Sequence, residues 1–320
     1  MRRGLLAFVC AALLSLLAPA FAQSAPAPKL KVVTTTAMLA DAVRAIGGDR
    51  IAVESLMGEG VDPHLYKPTR ADTAKLLGAD LVVANGLGLE GQFKETFAQL
   101  GRTKPVVLAA ERVPRERLLA DEAFKDRFDP HLWMDPALWA EVCAVLRDAL
   151  SERDPAGREA YRAGHEAYAA ELVRLAEYAG RVLASVPAER RVLVTAHDAF
   201  GYFARAYGFE VVGIQGVSTE SEAGLKRIEE VVALVVARKI PAIFVEASVS
   251  DRNVKAVVEG AGKRGHTVAV GPELFSDSMG AAGTHEGTYL GMIDHNVTAI
   301  ARALGGEAPA RGLAGRLAAR

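Results

Sequence analysis

The stretch DPAGREAYRAGHEAYAAELVRLAEYAGRVLASV, residues 154–186, decides how the rest of the chain must be arranged. Asp154 is a good N-cap and Pro155 a good first helical residue, because a missing N–H costs nothing at that position. Apolar or aromatic side chains recur at Tyr161, Tyr168, Leu172, Leu175, Tyr178 and Val182, the spacing of one helical face. Gly157, Gly164 and Gly180 are weak points, and Pro187 ends the pattern. A helix of about 30 residues is roughly 45 Å long, more than a crossover between neighbouring strands needs. We read it as a strut between two lobes.

On both sides of the strut, short β-branched runs alternate with helical patterns. Before it, strands fit residues 31–35, 51–56, 81–84 and 106–109, with helices at 37–46, 71–77, 91–100 and 136–150. After it, strands fit 191–196, 210–214, 242–246 and 267–271, with helices at 199–207, 222–237, 251–262 and 289–304. This rhythm predicts an α/β protein of two lobes, each a four-stranded parallel sheet flanked by helices. The expected partition is a signal peptide at 1–22, a loose lead-in at 23–29, an N-terminal lobe at 30–153, the linking helix at 154–186, a C-terminal lobe at 187–304 and a frayed tail at 305–320.

Composition narrows the function. The 320 residues are half apolar and carry a net charge of −1, without the basic excess that marks nucleic-acid binding. Arg2 and Arg3, the apolar run from Leu5 to Leu17, and Ala20-Phe21-Ala22 read as a secretory signal cut after Ala22. That implies export to the periplasm. Phe8-Val9-Cys10 fits a lipid-anchoring site poorly, since small residues should precede such a cysteine. Cys143 is then the sole cysteine of the mature chain, so no internal disulfide can form, and the surrounding EVCAVL suggests a small buried residue.

The histidines sort by position. In open α/β domains ligands bind beyond the carboxyl ends of the parallel strands. His64 follows the second strand through the Gly-rich turn MGEGVDPH, His131 precedes the helix near Pro136, and His197 ends the strand RVLVTAH. His165, His266, His285 and His295 lie on helices or at the wrong strand ends. The tetrapeptide Asp-Pro-His-Leu occurs twice, holding His64 and His131. Proline stiffens each holder, and Asp62 and Asp129 can each accept a backbone or imidazole N–H, as ligating histidines require. Three imidazoles at two lobe mouths suggest a divalent transition metal. The fourth ligand should come from the C-terminal lobe, with Asp277 in GPELFSDSMG the first candidate and Glu246, at the end of AIFVE, the second.

The stretches VDPHLYKPT, NGLGLE, DPHLWMDP, TAHDAFGYFARAYGF, GVSTESEAG, IFVEASVS and LFSDSMGAAGTHEGTYLGMIDHN, in order between residues 30 and 304, resemble the TroA-like solute-binding subunits of zinc and manganese ABC importers. The resemblance implies two parallel-sheet lobes joined by one long helix, with the metal in the interlobe cleft. It also implies His64, His131, His197 and Asp277 as ligands of a Zn2+ or Mn2+ cargo, and an ABC permease as partner of a monomeric carrier. The stretch LADEAFKDRF before the second ligand lacks the extra histidines of many zinc-specialised members. Three imidazoles and one carboxylate nevertheless suit zinc. Neutral imidazoles are needed for ligation, so affinity should weaken below about pH 6.

Three other functions compete. A zinc metallo-hydrolase would need an open coordination position and a general base, and HEAYA and HEGTY lack the second histidine of a zincin motif. A dinucleotide enzyme could use Gly86, Gly88 and Gly91 after the strand LVVAN, with Glu111 on the ribose. An adhesin role is compatible with metal carriage but has no signal of its own here.

Overall fold

The computed structural model describes residues 28–318 apart from 122, 123 and 125. The expected signal peptide, its cleavage point and the lead-in up to residue 27 lie outside the described residues.

The N-terminal lobe is built on β1 (Leu30–Thr34), β2 (Ile51–Ser55), β3 (Leu81–Ala84) and β4 (Val106–Leu108), all parallel in the order β2-β1-β3-β4. All four residues of β3 are buried, as expected of a parallel strand covered on both faces. The covering helices are α1 (Ala37–Gly47), α2 (Arg70–Gly78), α3 (Lys94–Leu100) and α4 (Pro136–Arg153). The strand order reverses between β1 and β3, which opens a crevice at their carboxyl ends. Local chemistry fixes the helix starts. Thr69 and Asp72 form a capping box on α2. Asp135 accepts the Ala137 N–H ahead of Pro136 on α4.

The strut is α5 (Arg158–Ala184), preceded by a single 3-10 turn at Pro155–Gly157. Asp154 holds Arg50 and the Tyr161 hydroxyl instead of capping the long helix. The face read from the sequence is the buried one: Tyr161, Tyr168, Leu172, Leu175, Tyr178 and Val182. It packs on α1 and α4 of one lobe and on α9 (Tyr289–Ala303) of the other. Gly164 is required there, since a Cβ would run into the Ile46 carbonyl of α1. One apolar core runs unbroken from Met38 and Trp139 through Leu172 to Phe200 and Tyr289. It ties the lobes together.

The C-terminal lobe contains β5 (Val192–Thr195), α6 (Gly201–Tyr207), β6 (Glu210–Gly213), α7 (Leu225–Ala237), β7 (Ala242–Ile243), α8 (Arg252–Lys263), β8 (Ala269–Val270) and α9. Its four parallel strands are present but form two pairs, β5-β6 and β7-β8, where the sequence predicts one continuous sheet. The pairs lie side by side, joined by the Phe244 N–H donating to Val194 O. β8 donates to β7 through alternate residues, Ala269 to Pro241 O and Gly271 to Ile243 O, and the alternation breaks after Gly271. Pairing resumes only at Leu274, whose N–H donates to Val245 O.

Two further expectations are settled by packing. Residues 305–318 do not fray: Leu317 is buried, and Asp294 accepts the Leu313 N–H. Cys143 is fully buried, and burial pushes its thiol far up, as the apolar reading expected.

Candidate metal centre

Each candidate ligand is delivered by a different element. After β2 the chain turns through Gly58 and Gly60 to Asp62-Pro63-His64. Asp62 Oδ1 accepts the His64 N–H at 2.8 Å, an Asx turn that fixes the ligand's backbone. The second copy does the same: Asp129 Oδ1 accepts the His131 N–H at 2.9 Å. Asp129 Oδ1 also accepts from the ring Nδ1–H at 2.7 Å. The twin holders therefore differ. Asp129 orients an imidazole, whereas Asp62 orients only a backbone and receives the Thr219 hydroxyl on its other oxygen at 2.6 Å.

His197 ends β5. Its holder is Glu246, which accepts the His197 N–H at 2.9 Å and the ring Nδ1–H at 2.6 Å. Glu246, the alternative fourth ligand, thus stands behind His197 on the ring nitrogen that faces away from the centre. Asp277 lies in the loop before α9. Asn296 clamps that loop by accepting the Phe275 N–H at 2.9 Å and donating to its carbonyl at 2.6 Å. The Trp133 indole N–H donates to Ser276 O at 2.8 Å from the other lobe.

His64, His131, His197 and Asp277 converge, each offering one ligand atom within 4.8 Å of all the others. His64 Nε2 is 3.3 Å from His131 Nε2 and 3.5 Å from Asp277 Oδ2. His131 Nε2 is 3.3 Å from Asp277 Oδ1, and His197 Nε2 is 3.2 Å from Asp277 Oδ2. Four donors about 2.0–2.1 Å from one ion in a tetrahedron stand about 3.3–3.4 Å apart, so these separations are close to tetrahedral edges. All four residues are buried, yet His197 Nε2 and both Asp277 oxygens have no hydrogen-bond partner. Orphaned buried polar atoms are costly, and a cation at their centre would satisfy them together.

Without an ion the site is held by charge. Burial pulls the His64 imidazole down to about 3. Burial also opposes charge on His131 and His197, but carboxylates overcome it: Asp277 and Asp129 hold His131 at about 9, and Glu246 and Asp277 hold His197 well above its usual value. Burial would raise the Asp277 carboxyl, and the two imidazoliums keep it well below the carboxylate range.

The remaining histidines are elsewhere. His266 and His295 donate to Ile240 O and Glu273 O, His285 faces Asp294, and His165 stays on α5. The Gly86-Gly88-Gly91 loop is not a pyrophosphate cradle. Glu90 occupies it, accepting the N–H groups of Asn85 and Gly86 at 2.8 and 3.1 Å and the Thr35 hydroxyl at 2.6 Å. Glu111 meets the same loop at the Leu87 N–H. Asn85 in turn donates to Pro130 O, one residue before His131, at 3.0 Å. Sequence reasoning assigned no individual role to Glu90, Thr219, Trp133 and Asn296, although all four lie in the quoted stretches, because their partners Thr35, Asp62, Ser276 and Phe275 are 55, 157, 143 and 21 residues away.

The chain is similar to known proteins over most of its length. The family described as ZnuA, zinc-uptake complex component A periplasmic, matches residues 32–303. The zinc-binding protein TroA of Treponema pallidum is 48% identical over 274 residues, covering 85% of this chain and 88% of the relative. The manganese-binding lipoprotein MntA of Bacillus subtilis is 44% identical over 276 residues, covering 86% and 90%. A solved structure of the periplasmic zinc-binding protein TroA from Treponema pallidum superposes with a TM-score of 0.84 at 47% identity, over 87% of this chain and 99% of that one. The chain belongs to the ZnuA family of zinc-uptake complex component A proteins.

Proposed function

We propose that this protein captures a divalent transition metal, zinc or manganese, outside the cytoplasm and delivers it to the permease of an ABC importer. His64 and His131 from one lobe and His197 and Asp277 from the other are the ligands. The observation that carries the reading is the buried quartet whose ligand atoms face one another, with His197 Nε2 and both Asp277 oxygens lacking a hydrogen-bond partner. The names of the relatives, one zinc-binding and one manganese-binding, support the same cargo class. The protein works as an exported monomer, cleaved after Ala22.

Carriage fits the site better than catalysis. Asp129 and Glu246, the carboxylates behind the imidazoles, are committed to Nδ1 of His131 and His197, so neither is free as a general base. Three imidazoles and one carboxylate favour zinc over manganese in intrinsic affinity. Asp277 turns one oxygen toward His131 and the other toward His64 and His197. Both oxygens could bind, giving the higher coordination number that suits a harder ion.

The test is elemental analysis of the protein recovered from its own compartment, with chelator-competition titrations for zinc and manganese. Stoichiometric metal and tighter zinc binding are expected. A protein that takes up neither ion, or a zinc-dependent hydrolase activity abolished by EDTA, overturns the reading.

A further inference from the structure

We propose that Thr219 is a positioning residue for cargo retention: its hydroxyl, on the C-terminal lobe, fixes the Asp62 carboxylate that holds His64 and so sets how slowly a bound metal leaves. The proposal rests on the metal-capture reading above.

Hydrogen bonds cross from each lobe to ligand segments of the other. Tyr202 of α6 donates to the carbonyl of Asp129, the holder of His131, at 2.8 Å. Trp133 donates to the carbonyl of Ser276, next to Asp277, at 2.8 Å. Thr219 donates to Asp62 Oδ2 at 2.6 Å, while Asp62 Oδ1 accepts the His64 N–H. Ligands on both lobes are therefore sensitive to the placement of the opposite lobe. This coupling matters because α5 and the shared core oppose a wide opening. A small shift between the lobes still reaches the ligands.

The three ties differ in strength of support. Tyr202 and Trp133 are fully buried aromatic side chains set in the common core. Thr219 is buried too, but it rises from the loop IQGVSTESEAG after β6, where Gly216, Glu220 and Ser221 are exposed. The ligand it serves also has the least support of its own. His131 and His197 each have a carboxylate on Nδ1, at 2.7 and 2.6 Å. Asp62 reaches only the backbone of His64, so the aim of that imidazole depends on the turn staying fixed. With Oδ2 anchored by Thr219, the Asp62 carboxylate cannot rotate away from the His64 N–H. Losing that anchor loosens the turn at the ligand where no second carboxylate compensates.

The experiment compares zinc release from the wild type, Thr219→Val and Thr219→Ser by stopped-flow mixing with a chromogenic chelator, alongside equilibrium competition and thermal unfolding without metal. A lost hydrogen bond to a charged group predicts about tenfold faster release in Thr219→Val. The association rate should change less than about twofold, and Thr219→Ser should restore the wild-type rate. A purely structural role would lower the metal-free Tm without changing the release rate. Thr219→Ala, which removes the hydroxyl without a branched side chain, should match the valine variant and so guard against a packing defect. Release from both variants at the wild-type rate, or a serine variant as fast as valine, overturns the latch while leaving metal capture intact. A wild type that binds no zinc overturns both.

Discussion

Glu246 Oε2 stands 2.6 Å from Nδ1 of His197 and its Oε1 accepts the His197 backbone N–H at 2.9 Å, so one carboxylate fixes both the place and the tautomer of an imidazole 49 residues away. With Nδ1 occupied, Nε2 is the atom presented to the centre of the quartet. Outer carboxylates of this kind are worth about 10–100-fold in metal affinity. Glu246→Gln should therefore weaken zinc binding by about that factor in chelator competition, with the fold retained by circular dichroism. A change below about twofold would mean that His197 is oriented by other means.

Asp277 is the one carboxylate among the four proposed ligands, set in the loop before α9. The structure pins that loop through Asn296 and Trp133. Four ligands of a tight zinc site share about 10–16 kcal/mol, so Asp277→Ala should weaken zinc by roughly 100-fold or more. Wild-type affinity in this variant would remove Asp277 from the ligand set.

Protons compete with the metal over a higher pH range than the unperturbed histidine value implied. In the metal-free protein, burial disfavours charge on His131, but Asp277 and Asp129 hold it at about 9. Metal must displace that proton, so affinity should rise with pH through neutrality. Calorimetry at pH 7 in buffers of different ionisation enthalpy should show about two protons released, from His131 and His197. The stability of the metal-free protein moves the other way. A histidine raised from 6.5 to about 9 contributes fully below pH 6.5 and loses that contribution as pH climbs through 9. The metal-free Tm should fall over that interval, while the shift produced by zinc grows. A zinc affinity that is flat from pH 6 to 9 would contradict a protonated metal-free site.

The strut passes close to α1 at Gly164, where a Cβ would collide with the Ile46 carbonyl. Gly164→Ala raises helix propensity yet should destabilise, because the two helices cannot separate without opening the core. Overpacking typically costs about 1–3 kcal/mol, readable as a lowered midpoint in urea. A stabilised variant would show that α1 can yield.

The sequence by itself determined the features that are local in the chain. The strut face, the strand–helix rhythm and the two Asp-Pro-His turns depend on spacings of two to four residues. Asp62 and Asp129 accept backbone N–H groups only two positions away. The convergence of His64, His131, His197 and Asp277 was legible because strand ends mark the crevice and the quoted stretches resemble a known family. The sequence could not distinguish Asp62 from Asp129. Their flanking tetrapeptides are the same, and only tertiary structure decides that one carboxylate meets an imidazole and the other a threonine 157 residues away. The split of the second sheet, the role of Glu90 in the glycine loop and the clamps on Asp277 were likewise decided by partners brought together in folding. Local propensity carries no information about which distant side chain arrives, because burial and shape in the assembled core select it.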